Sequence, residues 1–177
     1  SNQSVSDEMK ILLVEDNIIN QQLAFDTIKS WNNKIDIELA NNGKIALEKV
    51  QENDYHLVLM DIQMPEMDGN EATIAIRKLD GEKGNTPIVA MTAHALKNEK
   101  ENCLKLGMND YISKPFDPED LFEKILRFAP EKLSNNNKKE NGSSTAKAMD
   151  IEKLSFNYFN VDNLKKIYQE NTSKIVK

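Results

Sequence analysis

Four short apolar runs in this 177-residue chain each stop at an ionisable or hydroxyl side chain. Ile11–Val14 runs into Glu15 and Asp16, Leu57–Met60 into Asp61, Ile88–Met91 into Thr92, and Tyr111-Ile112 into Ser113 and Lys114. A strand covered on both faces reads as an unbroken apolar run, which is the habit of parallel strands inside α/β sheets. A polar residue directly after such a run sits at the strand's C-terminal edge, where open α/β sheets place their ligands. Three acids, a hydroxyl and a lysine at four such ends constrain fold and chemistry together.

The intervening segments supply the rest of an α/β alternation. The pattern predicts a first strand over Lys10–Val14 and a helix over Ile18–Trp31, with Leu23, Ala24, Ile28 and Trp31 on one side. Ile35, Ile37 and Leu39 alternate with Asp36 and Glu38, marking an edge strand with one face to water. Asn42-Gly43 signals a turn before a helix carrying Ala46, Leu47 and Val50. Tyr55–Met60 reads as the third strand, followed by a helix through Ala72, Ile76 and Leu79, a polar loop over Gly81–Thr86, and a fourth strand over Ile88–Met91. A more polar helix over about Leu96–Leu106 closes at Gly107, and Tyr111-Ile112 is a short fifth strand. The last helix opens at Asp117-Pro118 with the stripe Leu121, Phe122, Ile125, Leu126 and Phe128. Right-handed crossovers then give a doubly wound, flavodoxin-like α/β sheet of order 2-1-3-4-5, with helices on both faces and its switch point between the first and third strands.

Composition bounds what surrounds this domain. A net charge of −6 argues against a nucleic-acid surface. No apolar stretch approaches the ~20 residues that span a bilayer, and the polar first ten residues lack the apolar core of a secretory signal. The lone Cys103 suits a reducing compartment, so the expected location is cytoplasmic. Residues 1–9 read as an N-terminal tail or tag remnant and 10–130 as the folded domain. Residues 131–148 read as a flexible linker, since Ser134–Lys147 is nearly devoid of apolar side chains. Apolar residues return in 149–177, a stretch too short to build a core alone.

Carboxylates gathered at one sheet edge repel each other, and a divalent cation relieves that repulsion. Hard oxygen donors without His or Cys favour Mg²⁺. The expected ligands are Asp16 and Asp61 directly, Glu15 through water, and the backbone carbonyl of Gln63. Asp61, at the tip of a central strand, can act as nucleophile and become an acyl phosphate. Mg²⁺ and the Lys114 ammonium would neutralise the transferring group, and the Thr92 hydroxyl would donate to a phosphoryl oxygen. Drawing Thr92 inward would open a space for Tyr111, carrying a local contact to a distant face. A cis peptide at Lys114-Pro115 would aim the lysine into the cleft. Taken singly, Asp61 reads equally as a helix cap and Lys114 as a surface cation; their convergence on one edge decides otherwise.

These motifs resemble the receiver domain of two-component response regulators: LLVEDN (Leu12–Asn17), LVLMDIQMPEMDG (Leu57–Gly69), IVAMTAHAL (Ile88–Leu96) and DYISKPF (Asp110–Phe116). The resemblance covers roughly residues 8–130. It implies Glu15 and Asp16 as the acidic metal pair, Asp61 as the phosphoacceptor, Thr92 and Tyr111 as a switch pair, and Lys114 as the phosphate-contacting lysine. EDNIINQ and MTAHAL are similar to receivers fused to hybrid sensor histidine kinases. The implied partner is a histidine kinase or histidine phosphotransfer domain, with no direct nucleic-acid or membrane contact. The fragment itself is then a signalling phosphoacceptor with slow self-catalysed transfer and hydrolysis. The tail Phe159–Lys177 resembles the first helix of a histidine phosphotransfer domain, although it contains no His.

Two other functions fit part of the pattern. A Mg²⁺-dependent phosphohydrolase with an aspartyl nucleophile would want a general acid close to Asp61, which Ile62 and Gln63 do not offer. A stand-alone regulator with a DNA-binding output would need more basic sequence than residues 131–177 contain.

Overall fold

The apolar runs lie side by side as central strands. The computed structural model describes residues 9–93 and 97–130. Its strands are β1 (Lys10–Val14), β2 (Asp36–Ala40), β3 (Leu57–Asp61), β4 (Ile88–Thr92) and β5 (Asp110–Ser113). Between and after them come α1 (Ile18–Trp31), α2 (Gly43–Glu52), α3 (Gly69–Arg77), α4 (Lys97–Lys105) and α5 (Pro118–Arg127). All neighbouring strands pair in parallel, in the expected order β2-β1-β3-β4-β5.

Period-two alternation sends successive side chains of each strand to opposite faces. Ile11, Leu13, Leu57, Leu59, Val89 and Met91 therefore meet Ala24 and Ile28 of α1 and Leu121, Phe122 and Ile125 of α5. Their neighbours Leu12, Val14, Val58, Met60, Ile88 and Ala90 meet Ala46 and Val50 of α2, Ala72 and Ile76 of α3, and Cys103 of α4. Both faces are covered, which is why the sequence shows no alternation there. Leu59 is fully buried, so its truncation to Ala would cost about 2–5 kcal/mol.

Each helix that follows a strand starts just past that strand's C-terminal end, so the helix caps line the same edge as the strand-end acids. Asn17 caps α1 through bonds from the Ile19 and Asn20 amides, and Asn42 caps α2. Asp68 and Glu71 form a reciprocal capping box on α3, and Asp117 with Pro118 opens α5 as expected. At the opposite edge, the Arg77 guanidinium donates to the carbonyls of Gly84, Thr86 and Gly107 and to Asn109 Oδ1. Those bonds tie α3 to the α4–β5 turn.

Four details differ from the sequence reading. β3 begins at Leu57 rather than Tyr55 and includes Asp61. Tyr55 and His56 are drawn to long-range partners instead, the Tyr55 hydroxyl to Glu38 and His56 Nδ1 to the Lys10 amide. Gly81–Asn85 is a 3₁₀ turn, not an irregular loop. On α1 the buried residues are Gln21, Ala24, Thr27 and Ile28, whereas Leu23 and Trp31 are only partly covered. On β2, Leu39 is 39% exposed at the open end of the edge strand. The expected linker and tail, 131–177, and the N-terminal tail up to residue 8 lie outside the described residues.

Candidate functional site

The turn after β1 presents Glu15 and Asp16, and the end of β3 presents Asp61. One carboxylate oxygen from each lies within 4.8 Å of the others. Glu15 and Asp61 are buried at 2% and 3% exposure, whereas Asp16 faces solvent. Lys114, just past β5, reaches across β4 to place Nζ 3.0 Å from Glu15 Oε2 and 3.0 Å from Asp61 Oδ1. The Lys114-Pro115 peptide is cis.

Asp61 and Glu15 each accept from a backbone amide. Asp61 Oδ1 also accepts from the Gln63 amide at 3.3 Å. Glu15 Oε1 accepts from the Asn17 amide at 3.2 Å and from Asn20 Nδ2 at 3.4 Å. Both Glu15 oxygens are thus occupied by the chain's own donors. Gly69, the first residue of α3, packs on the Asp61 carbonyl so closely that a Cβ there would lie 2.1 Å from that oxygen. The start of α3 can abut the acid only because position 69 carries no side chain.

Charge is unevenly balanced. Burial pushes the Glu15 carboxyl above its ordinary value; the Lys114 hydrogen bond opposes that rise, and the Asp61 charge adds to it. Burial works to lower Lys114, but its bonds to Asp61 and Glu15 outweigh burial and hold the ammonium above its usual value. One ammonium among three carboxylates leaves a negative excess. The donors are all hard oxygens, with no His or Cys in the group, so Glu15, Asp16 and Asp61 suit a small hard dication.

Thr92 is buried at the end of β4, and its carbonyl accepts from the Lys114 amide at 2.7 Å. Residues 92 and 114 are therefore linked through main chain as well as by position. Tyr111 does not enter the acid cluster. It is paired in register with Ala90, two residues before Thr92, which puts Thr92 and Tyr111 on the same sheet face. The Lys100 ammonium of α4 sits 4.5 Å from the Tyr111 ring centroid and that of Lys124 of α5 5.8 Å away. A cleft beside Asp16 is lined by Ile62, Gln63, Met64, Pro65, Asp68, Asn70 and Glu99.

Gln21 is the site residue that sequence reasoning passed over. It is 8% exposed, and its Nε2 donates to the Glu15 carbonyl and to Asn41 Oδ1, both at 3.1 Å. The signal was present, since a polar residue three before Ala24 and seven before Ile28 falls in an apolar helical stripe.

The model of the response regulator receiver domain matches residues 11–126. A Dictyostelium discoideum hybrid signal transduction histidine kinase, G, is 43% identical over 129 residues, covering 73% of this chain. The chain spans only 4% of that relative's length and 14% of a rice probable histidine kinase. Among solved structures, the receiver domain of a Pseudomonas aeruginosa sensor histidine kinase, with a magnesium ion coordinated in its active-site cleft, is 37% identical with a TM-score of 0.63. That match covers 69% of this chain and 98% of the other. A chain of the co-crystal of the Saccharomyces cerevisiae histidine phosphotransfer protein Ypd1 with the receiver domain of its downstream response regulator Ssk1 is 35% identical. Its TM-score is 0.62, covering 69% of this chain and 89% of that one.

Proposed function

The chain belongs to the response regulator receiver family, and we propose that its Asp61 carboxylate accepts a phosphoryl group from a phosphohistidine in a Mg²⁺-dependent step. The observation that carries this reading is the position of Lys114 Nζ, 3.0 Å from both Asp61 and Glu15 within a three-carboxylate cluster. Asp61 Oδ1 is held by Lys114 and by the Gln63 amide, which leaves Oδ2 to attack phosphorus. An O–P bond forms as the N–P bond of the donor breaks, and the electron pair returns to the donor imidazole.

Asp16 and Asp61 would bind Mg²⁺ directly, with the Gln63 carbonyl beside them. Glu15, whose oxygens accept from the Asn17 amide and Lys114, would act through water. When bound, Mg²⁺ supplies positive charge opposite the transferring phosphoryl oxygens. Lys114 turns from its two carboxylates toward the acyl phosphate, and the Thr92 hydroxyl donates to another phosphoryl oxygen. Because the Lys114 amide is bonded to the Thr92 carbonyl, the two shift together. Tyr111, on the same face as Thr92, carries that shift to the side of α4 and α5.

The donor is a histidine kinase or histidine phosphotransfer domain, and the parent protein a hybrid sensor histidine kinase acting in the cytoplasm. Likeness to the receivers of such kinases supports this. So does an apolar landing beside the acids: Ile18 and Ile19, directly after Asn17, are 76% and 58% exposed. Ile18→Ser should slow transfer from a protein donor about tenfold and leave labelling by a small donor unchanged; equal slowing with both donors would remove the docking role.

The chemistry is tested by incubating the chain with Mg²⁺ and acetyl phosphate and measuring intact mass. A single phosphoryl adduct that requires Mg²⁺ and disappears in Asp61→Asn is the expected result. Turnover of small phosphate esters without an adduct would instead indicate a phosphohydrolase.

A further inference from the structure

We infer that Gln21 is a positioning residue that sets the direction of the Glu15–Asp16 pair, a role that rests on the phosphoacceptor reading of the site. Glu15 leaves β1 with its main chain fastened on the β2 side at two points. Its amide donates to the Ala40 carbonyl at 3.0 Å, and its carbonyl accepts from Gln21 Nε2 at 3.1 Å. The same amide group of Gln21 reaches Asn41 Oδ1 at 3.1 Å, so Gln21 clips the turn after β1 to the turn after β2. With the main chain held on that side, the Glu15 carboxylate meets Lys114 from the other side of the cleft.

Burial gives the clip its force. Gln21 is 8% exposed and Glu15 2%, so water does not readily replace a lost bond there. The two acids are adjacent in sequence, and rotation of the Glu15 peptide would redirect Asp16 as well. An apolar residue would fill the same helical position in α1 at least as well for packing alone. A side-chain amide in that place serves the acidic turn instead. Partners that orient ligating carboxylates change metal affinity about 10–100-fold when removed.

The test is calorimetric titration with Mg²⁺ alone, alongside thermal melts in metal-free buffer. Gln21→Met keeps the length and apolar stem and removes both donors; it should weaken Mg²⁺ binding about tenfold. Asn41→Ala removes the far anchor from an exposed position and should weaken it about two- to threefold with an unchanged melt. In Gln21→Met, labelling by acetyl phosphate should recover to the wild-type rate at saturating Mg²⁺, since the clip acts on affinity. Wild-type Mg²⁺ affinity in Asn41→Ala, or in a folded Gln21→Met, would overturn the positioning role while leaving the phosphoacceptor reading intact. Failure of the wild-type chain to bind Mg²⁺ would overturn both.

Discussion

Glu38 lies within strand β2 and Glu15 in the turn after β1, and the chain treats these two carboxylates in opposite ways. On the edge strand β2, Glu38 receives the ammoniums of Lys10 and Lys49 and the hydroxyl of Tyr55. Its carboxyl is held down to about 2, first by the Lys10 bond and then by the Tyr55 bond. Glu15, far more buried, shares the Lys114 ammonium with Asp61 and is pushed up, first by burial. A chain that sets two ammoniums and a hydroxyl on one carboxylate has left three others to share one ammonium at the end of its central strands. Unrelieved negative charge of that kind is what a bound cation would offset.

The largest effect belongs to Asp61→Asn, which should abolish the phosphoryl adduct while Glu38→Gln leaves it intact; mass spectrometry of both variants checks the pair. Lys114→Met should slow labelling about 100-fold, as removal of one charge-stabilising donor does. Lys49→Met, which removes a cation from Glu38, should leave the labelling rate unchanged. Equal rates in the two lysine variants would show that the site does not depend on its ammonium.

Stability separates the regions by pH. The folded-state value of Glu38 lies below its ordinary ~4.3, so the stability it contributes is present above that pH and fades as pH falls toward 2. Glu38→Gln should therefore cost about 1 kcal/mol at pH 7, after allowance for solvent screening of a partly exposed side chain. Melts at pH 7 and pH 3 should show that cost shrinking in acid. A constant cost at both pH values would mean that Glu38 contributes by packing and not by charge.

The sequence carried the sheet order and the acid cluster because both follow from where continuous apolar runs stop. Ile11–Val14 and Leu57–Met60 could be placed without knowing their neighbours, since burial on both faces leaves one kind of pattern. The start of β3 could not. Tyr55 and His56 look like strand, but their partners are Glu38 and Lys10, 17 and 46 residues away. The 3₁₀ turn at Gly81–Asn85 was hidden for a related reason, as Gly81 and Gly84 read as breakers. Its exit is secured instead by Arg77, which holds the Gly84 and Thr86 carbonyls. Gln21 was legible in principle, yet its meaning depended on Asn41 and on a Glu15 carbonyl that no periodicity displays.

The most direct test of the under-neutralised cluster is the melt of Glu15→Gln without metal. The Glu15 carboxyl is raised in the folded chain, so folding disfavours its ionised form once pH rises through that raised value. Lys114 keeps its 3.0 Å bond to Asp61 in the variant. Glu15→Gln should then melt above the wild type at pH 7, and the gain should vanish below the ordinary carboxylate range. A variant that melts below the wild type at pH 7 would contradict the account, because Glu15 would then be a satisfied carboxylate like Glu38.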